Sequence, residues 1–250
     1  MRLVRFLAKG SPAYGILNDN EVIELGEDGY ASLSSRRAVY SAAEVRLLAP
    51  CVPTKVVAIG LNYRDHASEL GLAVPETPIL FLKPPTAVIG PDDDIRFPAM
   101  SRQVDYEGEL GIVVKDRVSR ITPAQARQHI LGYTCANDVT ARDLQKQDGQ
   151  WTWAKGFDTF CPVGPWIETD LDPNDLQVET WLNGERRQSS RTSQFVFGID
   201  HLVSFISQVM TLEPGDLIIT GTPSGIGPMQ RGDSVEVRIE GIGSLVNTVK

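Results

Sequence analysis

Cysteine is scarce in this chain of 250 residues. There are three, Cys51, Cys135 and Cys161, and no two form a C-x-x-C pair. That spacing favours buried thiols in a reducing cytoplasm over a disulfide framework or a zinc site. Basic charge is also short: 24 Lys and Arg face 32 Asp and Glu, a net charge of −8. Nucleic acids and anionic membranes need a basic surface, so neither is expected as a partner. An acidic small molecule needs only a few local cations and stays open. Long apolar runs are missing, and no stretch approaches the roughly 18 residues of a membrane span. In the opening "MRLVRFLAKGSPAYGIL", Lys9 and Gly10 cut the apolar run short of a signal peptide, so a cytoplasmic location is expected. A G-x-S-x-G elbow is absent too, so no sequence-local serine nucleophile is indicated. What remains is the balance of a soluble globular protein, 42% hydrophobic and 22% charged, in a chain long enough for a substantial core.

Strand signals outnumber helix signals. "RLVRFLA" and "AYGILN" read as strands, and "NDN" marks a hairpin turn before "EVIEL". "SAAEVRLLAP" suggests a short helix capped by Ser41 and ended by Pro50 and Pro53. A soft boundary there separates a small β module, residues 1–50, from a larger domain, residues 51–250. Beyond it, "KVVAIG", "PILFLKP" and "DYEGELGIVV" are strand runs. "TPAQARQHILGYT" has helical spacing, with Thr122 as cap and Pro123 at the first helical position. "DHLVSFISQVM" reads as an amphipathic helix capped by Asp200, and "EPGD" and "RGD" turn into further strands. The expected class is α+β, β-rich, rather than a doubly wound sheet.

The glycine-rich stretch "IITGTPSGIG", Ile218 to Gly227, invites a nucleotide reading. A phosphate loop needs Lys and Ser or Thr after its last glycine, but Pro228, Met229 and Gln230 follow. A dinucleotide fingerprint needs a third glycine where Gln230 stands, and a strand pattern follows instead of a helix. The loop is expected to have a set backbone shape and to offer Thr220, Thr222 and Ser224 to something nearby.

The acidic residues are more informative. On one strand Asp105, Glu107 and Glu109 share a face, opposite Tyr106, Leu110, Ile112 and Val114. Two readings fit. The acids face water, or they enclose a cation and basic groups that relieve their repulsion. "ANDVTARDLQ" brings Asp138, Arg142 and Gln145 close in sequence, and "WAKGFDTFCPVGPW" adds Lys155. Glu107, Glu109 and Asp138 suit a hard cation, with Lys155 and Arg142 balancing charge or gripping a substrate carboxylate. In "NYRDHASELG", His66 and Glu69 share a helical face. They are either an incidental surface pair or an imidazole oriented by a carboxylate for proton transfer. His129 and His201 show no acid in register and read as structural or surface residues. Trp151, Trp153 and Phe157 are either pocket wall or core.

Six stretches in order resemble the fumarylacetoacetate hydrolase family: "KVVAIGLNYRDHASELG" with the prolines before it, "PILFLKP", "VDYEGELGIVV", "GYTCANDVTARDLQ", "KGFDTFCPVGPW" and "LEPGDLIITGTPSGIG". The resemblance covers Ala49 to the C-terminus and points to the small branch: acylpyruvate hydrolases, oxaloacetate decarboxylases, and hydratases, isomerases and decarboxylases of aromatic catabolism. It implies a mixed β-sandwich roll, usually a homodimer, and an enzyme dependent on Mg²⁺ or Mn²⁺, with Ca²⁺ able to occupy the same site. It implies Glu107, Glu109 and Asp138 as metal ligands, and Arg142, Gln145 and Thr222 as substrate contacts. Lys155 and the His66–Glu69 dyad are then catalytic, the dyad on a segment that acts as a lid. The family's namesake has a further acidic ligand just before its histidine and a large N-terminal domain. Here the matching stretch, "VVAIGLNY", carries no acid, and that domain is missing. The expected reaction is C–C bond hydrolysis of an acylpyruvate-type 2,4-dioxo acid, with a His–Glu-activated water and an enolate held on the metal. Isomerisation, tautomerisation or decarboxylation of a 2-oxo diacid is the alternative, and a non-enzymatic metal-binding scaffold a remote one.

Overall fold

The computed structural model describes residues 1–69, 71–147 and 149–250. Ser11–Asn18 and Glu21–Leu25 pair as a hairpin across Asp19 and Asn20, with Asp19 at φ 47, a left-handed conformation that Asp and Asn tolerate. Arg2–Ala8 and Arg36–Ser41 complete a four-stranded meander, joined to the rest where Arg2 and Leu3 pair with Glu168 and Ile167. The helix expected in "SAAEVRLLAP" does not form. Ala42–Glu44 is one 3-10 turn without a side-chain cap from Ser41, and Arg46–Leu48 is a strand paired with Arg5–Leu7. The open edge of the N-terminal strand offers Leu47 and Leu48 backbone partners, and local helix spacing gives way to it.

The meander extends a sheet of twelve strands among the described residues. Its middle places Gly108–Val114 between Ile130–Asn137 and Leu217–Ile219, followed by Val56–Gly60 and the edge strand Ile79–Lys83. Gly108–Val114 is buried throughout, so both of its faces are covered. Leu110, Ile112 and Val114 face one core cluster, with Val178 and Val237 of a second, five-stranded sheet and Leu202 and Ile206 of the Ile199–Val209 helix. Val113 faces another cluster with Ala58 and Leu217. Burying one such aliphatic side chain contributes about 1.5–3 kcal/mol. The result is the β-rich, mixed sandwich that the sequence leads one to expect.

Two helix readings change. Pro123–His129 is a 3-10 helix preceded by Thr122, as anticipated, but Ile130 onward becomes the strand beside Gly108–Val114. Val113 and Ile112 offer that segment a ladder and a core, and pairing outweighs its helical spacing. The Ile199–Val209 helix starts from Gly198 as its cap. Asp200 lies in its first turn and pairs with Arg127.

The acidic stretch is not one strand. Val104–Tyr106 belongs to a three-stranded sheet with Thr140–Ala141 and Gly227–Met229, whereas Gly108–Val114 belongs to the large sheet. Glu107 sits at the changeover. A Cβ on Gly108 would come within 2.1 Å of Thr180 Oγ1, so only glycine lets the chain cross there.

Candidate metal centre

The changeover at Glu107 puts three carboxylates in one place. Glu109 points from its strand to the face opposite Leu110. Asp138 follows the strand whose Asn137 pairs with Gly108, and its amide donates to Glu107 O at 2.8 Å. Each carboxylate offers one oxygen, and these three atoms lie within 4.8 Å of one another. All three side chains are buried. Asp138 lies beside the two glutamates only because the sheet pairs strands distant in sequence.

Cations surround the cluster. Lys155 Nζ donates to Glu107 Oε2 at 3.0 Å, to Thr140 Oγ1 at 2.9 Å and to Asp138 Oδ2. Arg142 Nε donates to Asp105 Oδ2 at 2.8 Å, its Nη2 to Glu107 Oε1, and its Nη1 to Gln145 Oε1 at 2.6 Å. Lys83, fully buried on the edge strand, donates to Asp138 Oδ1 and to Val139 O. Four acids, Asp105, Glu107, Glu109 and Asp138, therefore meet three cations.

The imbalance falls on Glu109. Burial first, and then the charges of Asp138 and Glu107, push its carboxyl well above the usual range, although Lys155 and the Gly221 amide work against them. Burial also raises Glu107, but Lys155 and Arg142 outweigh it and hold that carboxyl down at about 2. Buried, all-oxygen and crowded by like charge, the triad fits a hard divalent cation, whose charge would relieve the repulsion on Glu109.

The other predicted residues gather around it. His66, Glu107, Glu109, Asp138, Arg142, Gln145, Lys155 and Thr222 line one cavity of about 230 Å³. Glu69 stands behind His66: its Oε2 is 2.9 Å from Nδ1, and its Oε1 accepts from the Gly225 amide at 2.9 Å. A neutral imidazole that keeps its proton on Nδ1 and donates it in a hydrogen bond to a carboxylate leaves Nε2 free as a base. Asp65 Oδ1 accepts from the His66 amide at 2.7 Å and its Oδ2 from Ser190 Oγ at 2.6 Å, which anchors the Arg64–Glu69 helix. Thr222 Oγ1 donates to Gly108 O at 3.0 Å and accepts from Gln188 Nε2 at 2.8 Å, so its hydroxyl is held in the wall.

Of the three aromatics, Trp151 lines the cavity and packs edge-on against Phe81. Trp153 is exposed instead, and Phe157 packs on Phe160. His129 does have an acid partner: its Nδ1 lies 2.6 Å from Asp116 Oδ1, on a loop that local register could not bring near. His201 stacks between Phe197 and Phe205. The expected lid, 62–78, includes Leu70, which lies outside the described residues.

Lys83, Gln188 and the Gly221 amide complete the site beyond the residues the sequence points to, and Asp105, one of the three acids read as sharing a face, holds Arg142. A lysine closing the apolar run "ILFLK" is a usable signal for Lys83. Gly221, at φ +94, donates to Glu109 Oε2 at 2.7 Å, and a Cβ there would lie 2.8 Å from Asn62 Cβ. The glycine loop thus supplies an amide to a carboxylate. Gln188, which also binds the Gly108 amide and Pro223 O, carries no sequence signal at all.

Comparison with known proteins agrees with this geometry. Residues 55–250 match the family model described as fumarylacetoacetate (FAA) hydrolase C-terminal, and residues 1–50 one described as Rv2993c-like, N-terminal. Protein Rv2993c of Mycobacterium tuberculosis is 52% identical over 90% of this chain and 86% of that one. The mitochondrial oxaloacetate tautomerase FAHD2B of Bos taurus is 42% identical over 91% of this chain and 79% of that one. A solved structure of a 2-hydroxyhepta-2,4-diene-1,7-dioate isomerase from Mycobacterium marinum is 46% identical, with a TM-score of 0.93 over 100% of this chain and 98% of that one. Sequence, fold and carboxylate triad agree that this chain belongs to the fumarylacetoacetate hydrolase family.

Proposed function

We propose that the chain is a divalent-cation-dependent enzyme that enolises a 2-oxo acid, and so interconverts keto and enol forms or positional isomers. The observation that carries this reading is the buried triad of Glu107, Glu109 and Asp138 in the same cavity as the His66–Glu69 pair. Mg²⁺ or Mn²⁺ held by the triad would supply electrophilic pull on the oxygens of the 2-oxo acid. His66 Nε2 takes a proton from the carbon next to the oxo group and returns it to another atom. Glu69 holds the imidazole in the tautomer this requires. Lys155 and Arg142 offset the negative charge that develops, and Gln145 and Thr222 bound the acid end. The tautomerase and isomerase names of the relatives at 42% and 46% identity support proton transfer over bond hydrolysis.

The same dyad supports a second reading, hydrolysis of an acylpyruvate-type 2,4-dioxo acid, in which His66 takes its proton from water. The family's own name favours it. Product mass separates the outcomes: unchanged for isomerisation, a gain of water for hydrolysis, a loss of carbon dioxide for decarboxylation. Purified protein with Mg²⁺ should exchange the C3 hydrogens of a 2-oxo acid with deuterium from solvent. No exchange and no product from a panel of 2-oxo acids would overturn the reading. A homodimer and a cytoplasmic location belong to the same proposal, the latter supported by three buried free thiols.

A further inference from the structure

Three lysine or arginine side chains line the cavity: Arg142, Lys146 and Lys155. Two are engaged by the protein's own carboxylates, Arg142 by Asp105 and Glu107, and Lys155 by Glu107 and Asp138. Lys146 is different. It is exposed, and among the described residues its side chain makes no ion pair.

Lys146 also has a defined place. It ends the Arg142–Gln145 helical turn with right-handed backbone, φ −68 and ψ −22, and its amide reaches back to Arg142 O. Residues four apart on such a turn share a face, so Lys146 stands over Arg142. The Arg142 side chain is 13% exposed, at the floor beside Glu107, whereas Lys146 is at the rim. Ile59, Leu72, Phe81 and Trp151 add an apolar wall to the same cavity. The cavity therefore combines an acid-binding floor, a wall for a short carbon chain and, at the mouth, a cation that has no ion-pair partner among the described residues.

We propose that Lys146 is a specificity-determining residue that pairs with a second carboxylate at the far end of the substrate, so that the cavity prefers 2-oxo diacids to 2-oxo monoacids. This rests on the reading above that the cavity takes a 2-oxo acid at the carboxylate cluster. Gln145, whose Oε1 accepts from Arg142, is uncharged and offers a far carboxylate no ion pair. A carboxylate reaching the rim displaces only loosely held water from Lys146 and gains a charge-assisted hydrogen bond.

The test compares oxaloacetate with 2,4-dioxopentanoate, which replaces the far carboxylate by an acetyl group. Mg²⁺-dependent exchange of the C3 hydrogens in deuterated water is followed by NMR. The native protein should favour the diacid in kcat/KM, and salt should erode that preference. Lys146→Gln should lower the diacid-to-monoacid ratio about fivefold, through the KM of the diacid, Lys146→Glu should lower it further, and Lys146→Arg should keep it. A ratio within about twofold of native in both Lys146→Gln and Lys146→Glu overturns the assignment of Lys146 while leaving the proposed function standing. Failure of the native protein to exchange either acid overturns the proposed function, and this assignment with it.

Discussion

At the scale of single residues, the proposed function separates groups that would hold a cation from groups that would move a proton. Glu109 is crowded by the carboxylates of Asp138 and Glu107, a repulsion that a bound cation would relieve. Glu109→Gln keeps its shape but removes that charge, so metal affinity and turnover should fall together, by titration calorimetry and C3 exchange. His66 is buried beside Glu69, outside the triad. His66→Ala should therefore keep metal binding and lower turnover about 100-fold or more. Thr222 is held by Gly108 O and Gln188, so its substitution has two consequences. Thr222→Val should raise KM for a 2-oxo acid with little change in metal affinity. It also takes one partner from the buried Gly108 carbonyl and one from Gln188 Nε2, which keeps Pro223 O, at a cost of about 1–3 kcal/mol in stability, whereas Thr222→Ser should recover both properties.

At the scale of elements, the strands that carry the site depend on one turn. Asp216, in "EPGD", accepts from the amides of Thr54, Lys55 and Glu213, from Thr54 Oγ1 and from Lys55 Nζ. It thereby ties the start of Val56–Gly60 to the start of Leu217–Ile219, the parallel pair that leads into the glycine loop. Burial alone would raise its carboxyl, but Lys55, the Glu213 amide and Thr54 outweigh it and hold the carboxyl below its ordinary value. A lowered folded-state value means that this stability is complete above about pH 4 and is lost as pH falls through the lowered value. Asp216→Ala should cost about 3 kcal/mol in denaturant unfolding at pH 7 and flatten the acid limb of the stability profile. The turn was legible from "EPGD", but its reach to Thr54 was not, because the partner lies 162 residues away in sequence.

At the scale of the molecule, the triad links metal to folding. Glu107, Glu109 and Asp138 come together only when the large and small sheets are both formed, so an ion that binds them binds the folded state alone. At about 100 times its dissociation constant such an ion adds about 2.7 kcal/mol of stability. For a chain of this size that raises the melting temperature by roughly 5–10 °C. Differential scanning fluorimetry with and without Mg²⁺ should show this shift in the native protein and lose it in Glu109→Gln. An equal shift in both would place the ion elsewhere.

The sequence by itself determined the donor chemistry. Glu-x-Glu, Asp138, Lys155 and His-x-x-Glu are short patterns whose residue types already limit what they can bind. Hairpins such as that around Asp19 and Asn20 are likewise set by local conformational preference. Only the tertiary structure decided that the acidic strand breaks at Glu107, that "ILGYT" and "RLL" are strands, and that Lys83 and the Gly221 amide reach the carboxylates. The deciding partner lies outside the segment each time, and for the groups at the carboxylates it is distant in sequence: 55 residues between Lys83 and Asp138, 112 between Glu109 and Gly221. Periodicity within a segment shows which face is apolar. It cannot show which strand will pair with that segment, and here the pairing built the site.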